Sequence, residues 1–132
     1  MWYEKKLGIS SGGYIRRDEL GLDASGNEYA PSPYSILFKL FKGLEVKSGD
    51  DVFLDYGSGM GRALIVAALY PFNKIVGVEF SATLNAIAEN NVRQAYEKLR
   101  CKDIEIITAN AMTYVPPQST TVFFLFNPFN HE

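Results

Sequence analysis

The sequence predicts an α/β domain in which a parallel sheet is covered by helices on both faces. Three observations carry that expectation. Apolar runs of strand length alternate with stretches of helical character, so that "DVFLDY", "RALIVAALY", "KIVGVEF", residues 82–99, "DIEIITA" and "TTVFFLF" read strand, helix, strand, helix, strand, strand, the alternation that parallel sheets with helical crossovers produce. The strand runs lack a clean polar and apolar alternation, as expected where both faces are covered. A glycine-rich turn, Gly57 to Gly61, follows the first strand, and right-handed crossovers bring ligands to that end of the sheet.

Each element has a local reason. Residues 1–31, with "SSGG", "GLDASGNE" and "APSP", are rich in turn formers and read as a mostly irregular N-terminal arm ahead of a domain over 32–132. Ser32 is a good N-cap and Pro33 suits a first helical turn. From there Ile36, Leu37, Leu40, Phe41 and Leu44 recur at helical spacing with Lys39 and Lys42 between them, up to a stop near Gly43. "RALIVAALY" predicts a helix buried on most sides and stopped by Pro71. Ser81 caps the next helix, where Leu84, Ile87, Ala88, Val92, Ala95, Tyr96 and Leu99 line one face and Glu89, Arg93 and Glu97 lie mostly outside it.

Composition bounds the function. At 132 residues, 47% hydrophobic and 21% charged, the chain has the profile of one soluble globular domain. No apolar run reaches the roughly 18 residues of a membrane span, and the N-terminus lacks a signal-peptide core, which argues for a cytoplasmic protein with no membrane partner. Cys101 and His131 are the only cysteine and histidine, which speaks against a disulfide framework and the usual zinc sites, so no metal is expected. Cys101 reads as structural or inert. A net charge of −2 gives no strong generic nucleic-acid signature, and the basic pairs Lys5-Lys6 and Arg16-Arg17 read as a solvated face.

The glycine turn carries the chemistry. Glycines permit close approach of a ligand to the backbone and positive φ. Glu79, at the end of the second strand, is eighteen residues beyond Gly61, and a carboxylate there can accept both hydroxyls of a ribose. A nucleoside is therefore the expected ligand. The spacing G-x-G-x-G and Arg62 at the place of the last glycine depart from the dinucleotide fingerprint. Asp55 is the sharper departure, because two negative charges about 5 Å apart repel by about 3 kcal/mol at an effective dielectric of 20, which disfavours a pyrophosphate. S-adenosylmethionine, with an ammonium and a sulfonium, inverts that sign.

"LDYGSGMGR" resembles motif I of the class I S-adenosylmethionine-dependent methyltransferases, "VGVEFS" is similar to their motif II, and "TANAMTY" and "FNPF" stand in the places of motifs III and IV. The resemblance covers about residues 50–130. It implies a Rossmann-like sheet with strand order 3-2-1-4 within this chain, and transfer of a methyl group from S-adenosylmethionine to an unidentified acceptor: protein, nucleic acid or small molecule. It further implies that Asp55, Gly57, Ser58, Gly59 and Gly61 surround the methionine part, that Glu79 binds the ribose, that Phe80 packs on the adenine, and that Asn110 and the Ala111 amide meet the adenine edge. "NEYAPSPYSIL" resembles the segment that closes over the cofactor in this family, which makes Tyr29 and Tyr34 weaker candidates. "FNPF" is similar to the N-P-P-[FY] motif of amino methyltransferases without its second proline, which makes Asn127 and Phe129 the catalytic candidates, and His131 could serve as a proton acceptor. The turn is also loosely similar to that of methyltransferases acting on protein lysines.

Two rivals stand beside this reading, a noncatalytic S-adenosylmethionine-binding module and an NAD-dependent oxidoreductase. The family's usual seven strands are not all present, so the domain is expected to be truncated after the fourth strand. "VFFLF" is then an apolar edge for the following strands of a longer protein or for a second copy in a homo-oligomer, the remaining alternative being a truncated, inactive methyltransferase that binds cofactor weakly.

Overall fold

The computed structural model describes residues 2–12 and 31–125. Its centre is β1 (Val52–Tyr56), which pairs in parallel with β2 (Lys74–Glu79) on one side and β4 (Val122–Leu125) on the other, while β2 pairs with β3 (Ile104–Thr108). The order β3-β2-β1-β4 is the expected one. Helices α1 (Trp2–Leu7), α2 (Tyr34–Lys42), α3 (Arg62–Ala68) and α4 (Ala82–Ala95), with a 3-10 turn over Tyr96–Lys98 after α4, complete the described elements.

Burial follows position in the sheet. The central strands β1 and β2 are buried almost throughout, whereas β3 and β4 consist of half-buried and exposed residues, because each lies at a margin of the described sheet. Buried residues of all four helices, among them Leu7, Leu37, Leu64 and Ala95, join one core with Phe53 and Ile75. All seven residues of α3 are buried, which explains a helix whose sequence has no polar face. On the opposite face Leu54, Val76 and Val78 lie under Tyr56, Ile107, Ala109, Ala111 and Tyr114, supplied by strands and the segment after β3. That cover stops short of β4, whose Phe123 and Leu125 are 56% and 61% exposed, with Phe123 stacked on Tyr56. The apolar strand expected to present an edge thus presents a face as well.

Two local expectations change. The arm read as mostly irregular opens with α1, followed by buried Ile9 and Ser11. Six residues are too few to show a helical period or to hold a helix unaided, and α1 owes its order to packing: the Tyr3 ring lies against Tyr34 and Phe38. The cap of α2 is Pro33 rather than Ser32, with no side-chain hydrogen bond, since the Ser32 carbonyl accepts from Arg62 and its residue is drawn into the interior. Ser81 caps α4 as expected, its hydroxyl accepting from the Leu84 amide at 3.2 Å. No helix among the described residues is long and apolar enough to cross a membrane.

Candidate functional site

The glycine turn leads from the carboxyl end of β1 into α3 and lies against the carboxyl end of β2. Gly57, Gly59 and Gly61 have φ of 85°, 54° and 89°, left-handed values that a side chain makes costly. The turn is held from below, because the Gly57 and Ser58 amides both donate to the Val78 carbonyl, at 2.7 and 3.1 Å. It is closed by the Gly61 amide, which donates to the Ser58 carbonyl at 2.9 Å. Ser58 Oγ is buried without a hydrogen-bond partner among the described residues.

Two acids stand at this turn. Glu79 accepts from the Gly59 amide at 3.0 Å with one oxygen and from the Ser81 amide at 2.8 Å with the other, so one carboxylate ties the turn to the start of α4. Burial raises its pKa, and the backbone bonds from Ser81, Gly59 and Phe80 pull the other way. Asp55 is 3% exposed. Burial, reinforced by the neighbouring Glu79 charge, pushes its carboxyl up to about 8. The site therefore holds a proton at neutral pH and is suited to a cation, which would displace that proton.

The other expected residues separate. Phe80 is 53% exposed at the tip of β2, with its ring unburied. Asn110 lies beyond β3, where its side-chain oxygen accepts from the Met112 amide at 2.9 Å, so the oxygen expected to meet an adenine amino group already organises its own turn. Ala111 packs under the sheet near Val76 and Val78. Tyr34 is a packing residue: its ring lies beneath the Arg62 guanidinium and its hydroxyl donates to Glu4 at 2.7 Å. Tyr29, Asn127, Phe129 and His131 lie outside the described residues.

Three contributors escape a reading of the sequence. A Cβ on Gly77 would lie 2.5 Å from Leu64 Cδ1 and 2.8 Å from Ser58 Oγ, so a bare backbone on β2 is what lets α3 and the turn settle. Its signal is a glycine inside an apolar strand, which marks close approach. Gly77→Ala is expected to cost about 2 kcal/mol through overpacking, read as a lower urea midpoint; an unchanged midpoint would mean that the turn has room to move. Arg62 and Asn91, both buried, bind the N-terminal arm to the turn, and no local pattern shows this. Gly61, already one of the expected residues, is closely packed as well, since a Cβ there would come 3.2 Å from that of Ala88 on α4.

The family described as histone methylation protein DOT1 matches residues 23–112. No curated protein matches the chain. Among solved structures, an RNA methyltransferase from Salinibacter ruber in complex with S-adenosyl-L-homocysteine is 25% identical, with a TM-score of 0.62 over 73% of this chain and 60% of that one. A dimethyladenosine transferase from Plasmodium falciparum is 18% identical, TM-score 0.60, over 74% and 33% of the two chains. A geranyl diphosphate C-methyltransferase from Streptomyces coelicolor A3(2) is 20% identical, TM-score 0.56, over 69% and 33%. These likenesses show a Rossmann-like fold, and the chain spans 60% of the first of these proteins and a third of the other two.

Proposed function

The chain belongs to the family of the histone methylation protein DOT1, and on that premise we propose that it is an S-adenosylmethionine-dependent methyltransferase domain with its cofactor at the glycine turn. The observation that carries the reading is the buried Asp55 beside Glu79 at the mouth of a turn built of positive-φ glycines. A ligand cation gains from that acid pair, whereas the pyrophosphate of a dinucleotide is repelled. The residues present fit the cofactor on this ground, since a bound cation favours the ionised form of Asp55 beside Glu79.

The cofactor supplies a methyl group already activated on a sulfonium. The chain's share is to bind, orient and exclude water. In this reading Asp55 faces the ammonium of the methionine part, along which Gly57, Ser58, Gly59 and Gly61 leave room. Glu79 accepts the ribose hydroxyls with the lone pairs left by Gly59 and Ser81. Phe80 offers its exposed ring to the adenine, and the segment from Asn110 to Ala111 meets the base edge. Asn127 and Phe129 serve the acceptor. The family description makes a histone the acceptor to test first.

Calorimetric titration of the chain with S-adenosylhomocysteine, with NAD as control, tests the binding step. Binding of the first and not of the second is expected. A folded, monodisperse chain that binds neither, or that prefers NAD, would sink the proposal. Methyl transfer from labelled S-adenosylmethionine to histones then separates an enzyme from a noncatalytic binding module.

A further inference from the structure

The N-terminal arm is tied to the glycine turn at two points. Arg62 follows Gly61 directly, and its buried guanidinium gathers three segments of chain: Nε donates to Ser11 Oγ at 2.9 Å, Nη1 donates to the Ser32 carbonyl at 3.1 Å, and Nη2 lies 3.7 Å from Glu4 Oε1. Its Cζ stands 4.2 Å from the Tyr34 ring centroid. Glu4 in turn accepts from the Ser11 amide at 3.0 Å, the Ser11 hydroxyl at 2.9 Å and the Tyr34 hydroxyl at 2.7 Å. Burial pushes the Glu4 carboxyl up, but these hydrogen bonds and the Arg62 charge outweigh it and hold it below its ordinary range.

The second tie is Asn91 on α4. Its side-chain nitrogen donates to the carbonyls of Ser10 and Met60, both at 2.9 Å, and its oxygen accepts from the Ser10 amide at 3.0 Å. One amide group thus bridges the arm and the turn itself, since Met60 lies between Gly59 and Gly61.

Neither partner is self-sufficient. Glycines at positive φ have no intrinsic preference for the conformation they hold here, so the turn depends on what grips it. A six-residue helix does not persist alone, so the arm depends on what it docks against. Where two segments share their restraints, a ligand that tightens one also tightens the other, and the coupling is reciprocal.

We propose that residues 2–12 are a working part of the cofactor site, with Arg62 and Asn91 as positioning residues that couple docking of the arm to the ligand-binding form of Gly57–Gly61. The inference rests on the reading that the turn binds S-adenosylmethionine. A purely architectural arm would stabilise the fold and leave ligand binding indifferent to it. A coupled arm makes binding weaker when the ties are cut and makes the arm tighter when ligand is bound.

Hydrogen exchange of the whole chain, with and without saturating S-adenosylhomocysteine, reads the coupling directly. The Ser10 and Ser11 amides, which donate to Asn91 and Glu4, are expected to exchange at least about fivefold more slowly with ligand, while the Gly43 and Leu44 amides at the far end of α2 stay unchanged. Two variants supply the converse: Asn91→Ala is expected to weaken S-adenosylhomocysteine binding about tenfold and Glu4→Gln, which keeps the shape but removes the ion pair, about threefold, both measured well below their unfolding temperatures. Should Asn91→Ala not fold, the exchange measurement and Glu4→Gln decide. Unchanged exchange at Ser10 and Ser11 in a wild-type chain that binds the ligand overturns the coupling alone. A wild-type chain that binds no S-adenosylhomocysteine removes the cofactor reading and the coupling with it.

Discussion

Asp55→Asn is expected to make the free protein more stable and its ligand complex weaker. The folded-state pKa of Asp55 is raised from an ordinary 3.8 to about 8 by burial and by Glu79. Between those values the folded chain binds more protons than the unfolded one, so the contribution of this group to stability is greatest below about pH 4 and declines as pH rises toward 8. Each tenfold change in proton affinity between the two states corresponds to about 1.4 kcal/mol. An asparagine carries no charge to bury and escapes that decline. The variant should match wild type near pH 4.5 and exceed it at pH 8 by about 4 kcal/mol in urea denaturation.

Binding should move the other way. A ligand ammonium prefers ionised Asp55, so below pH 8 each S-adenosylhomocysteine bound releases up to one proton, and affinity rises up to about tenfold per pH unit between 6 and 8 before levelling. In Asp55→Asn this dependence disappears and affinity at pH 8 drops about 100-fold, or about 2.7 kcal/mol. Calorimetry in buffers of different ionisation enthalpy counts the proton. Equal proton release by variant and wild type, or tighter binding by the variant, would contradict the assignment of Asp55 to the ligand's cation.

Glu79→Ala should lower affinity for S-adenosylmethionine and S-adenosylhomocysteine by one common factor of about 100, since the two share their ribose and hydrogen bonds to a charged acceptor are each worth about 1.5–3 kcal/mol. The same truncation strands the Gly59 and Ser81 amides, whose bonds of 3.0 and 2.8 Å end on this carboxylate. Buried donors left unmet cost about 1–3 kcal/mol each. Relief of the buried charge beside Asp55 offsets part of that loss, which leaves a net destabilisation of about 2 kcal/mol. Glu79→Gln separates the two effects: its amide nitrogen faces one of the two backbone donors, so it restores one bond at most. If the two ligands lose affinity by different factors, the ribose assignment is wrong and Glu79 acts only on the turn.

The parts of this site that are legible in the sequence are those with a short-range cause. Three glycines alternating after an apolar run can be read because positive φ leaves a mark on residue type. Asp55 and Glu79 can be read because a strand brings its last residues to the ligand end of a parallel sheet, and Ser81 because an N-cap bonds to an amide three residues away. Arg62 shows the opposite case. Beside the glycines it looks like a departure from a pattern, and it proves to be the anchor of an arm some fifty residues earlier, through Ser11 and Glu4. Tyr34, a candidate ligand contact by its place in the sequence, lies instead beneath that guanidinium.

The sequence by itself determined the order of strands and helices, the helix start at Ser81, and the placing of a glycine turn with two acids at one end of a parallel sheet. These follow from side-chain period, backbone freedom and charge within a few residues. Only the tertiary structure decided that six N-terminal residues fold as a helix, that the Asn110 oxygen accepts from the Met112 amide, that Gly77 makes room for Ser58 and Leu64, and that Arg62 and Asn91 join the arm to the turn. Those outcomes depend on which distant groups arrive at the same buried place, where an unpaired polar group is costly and each one must find its partner.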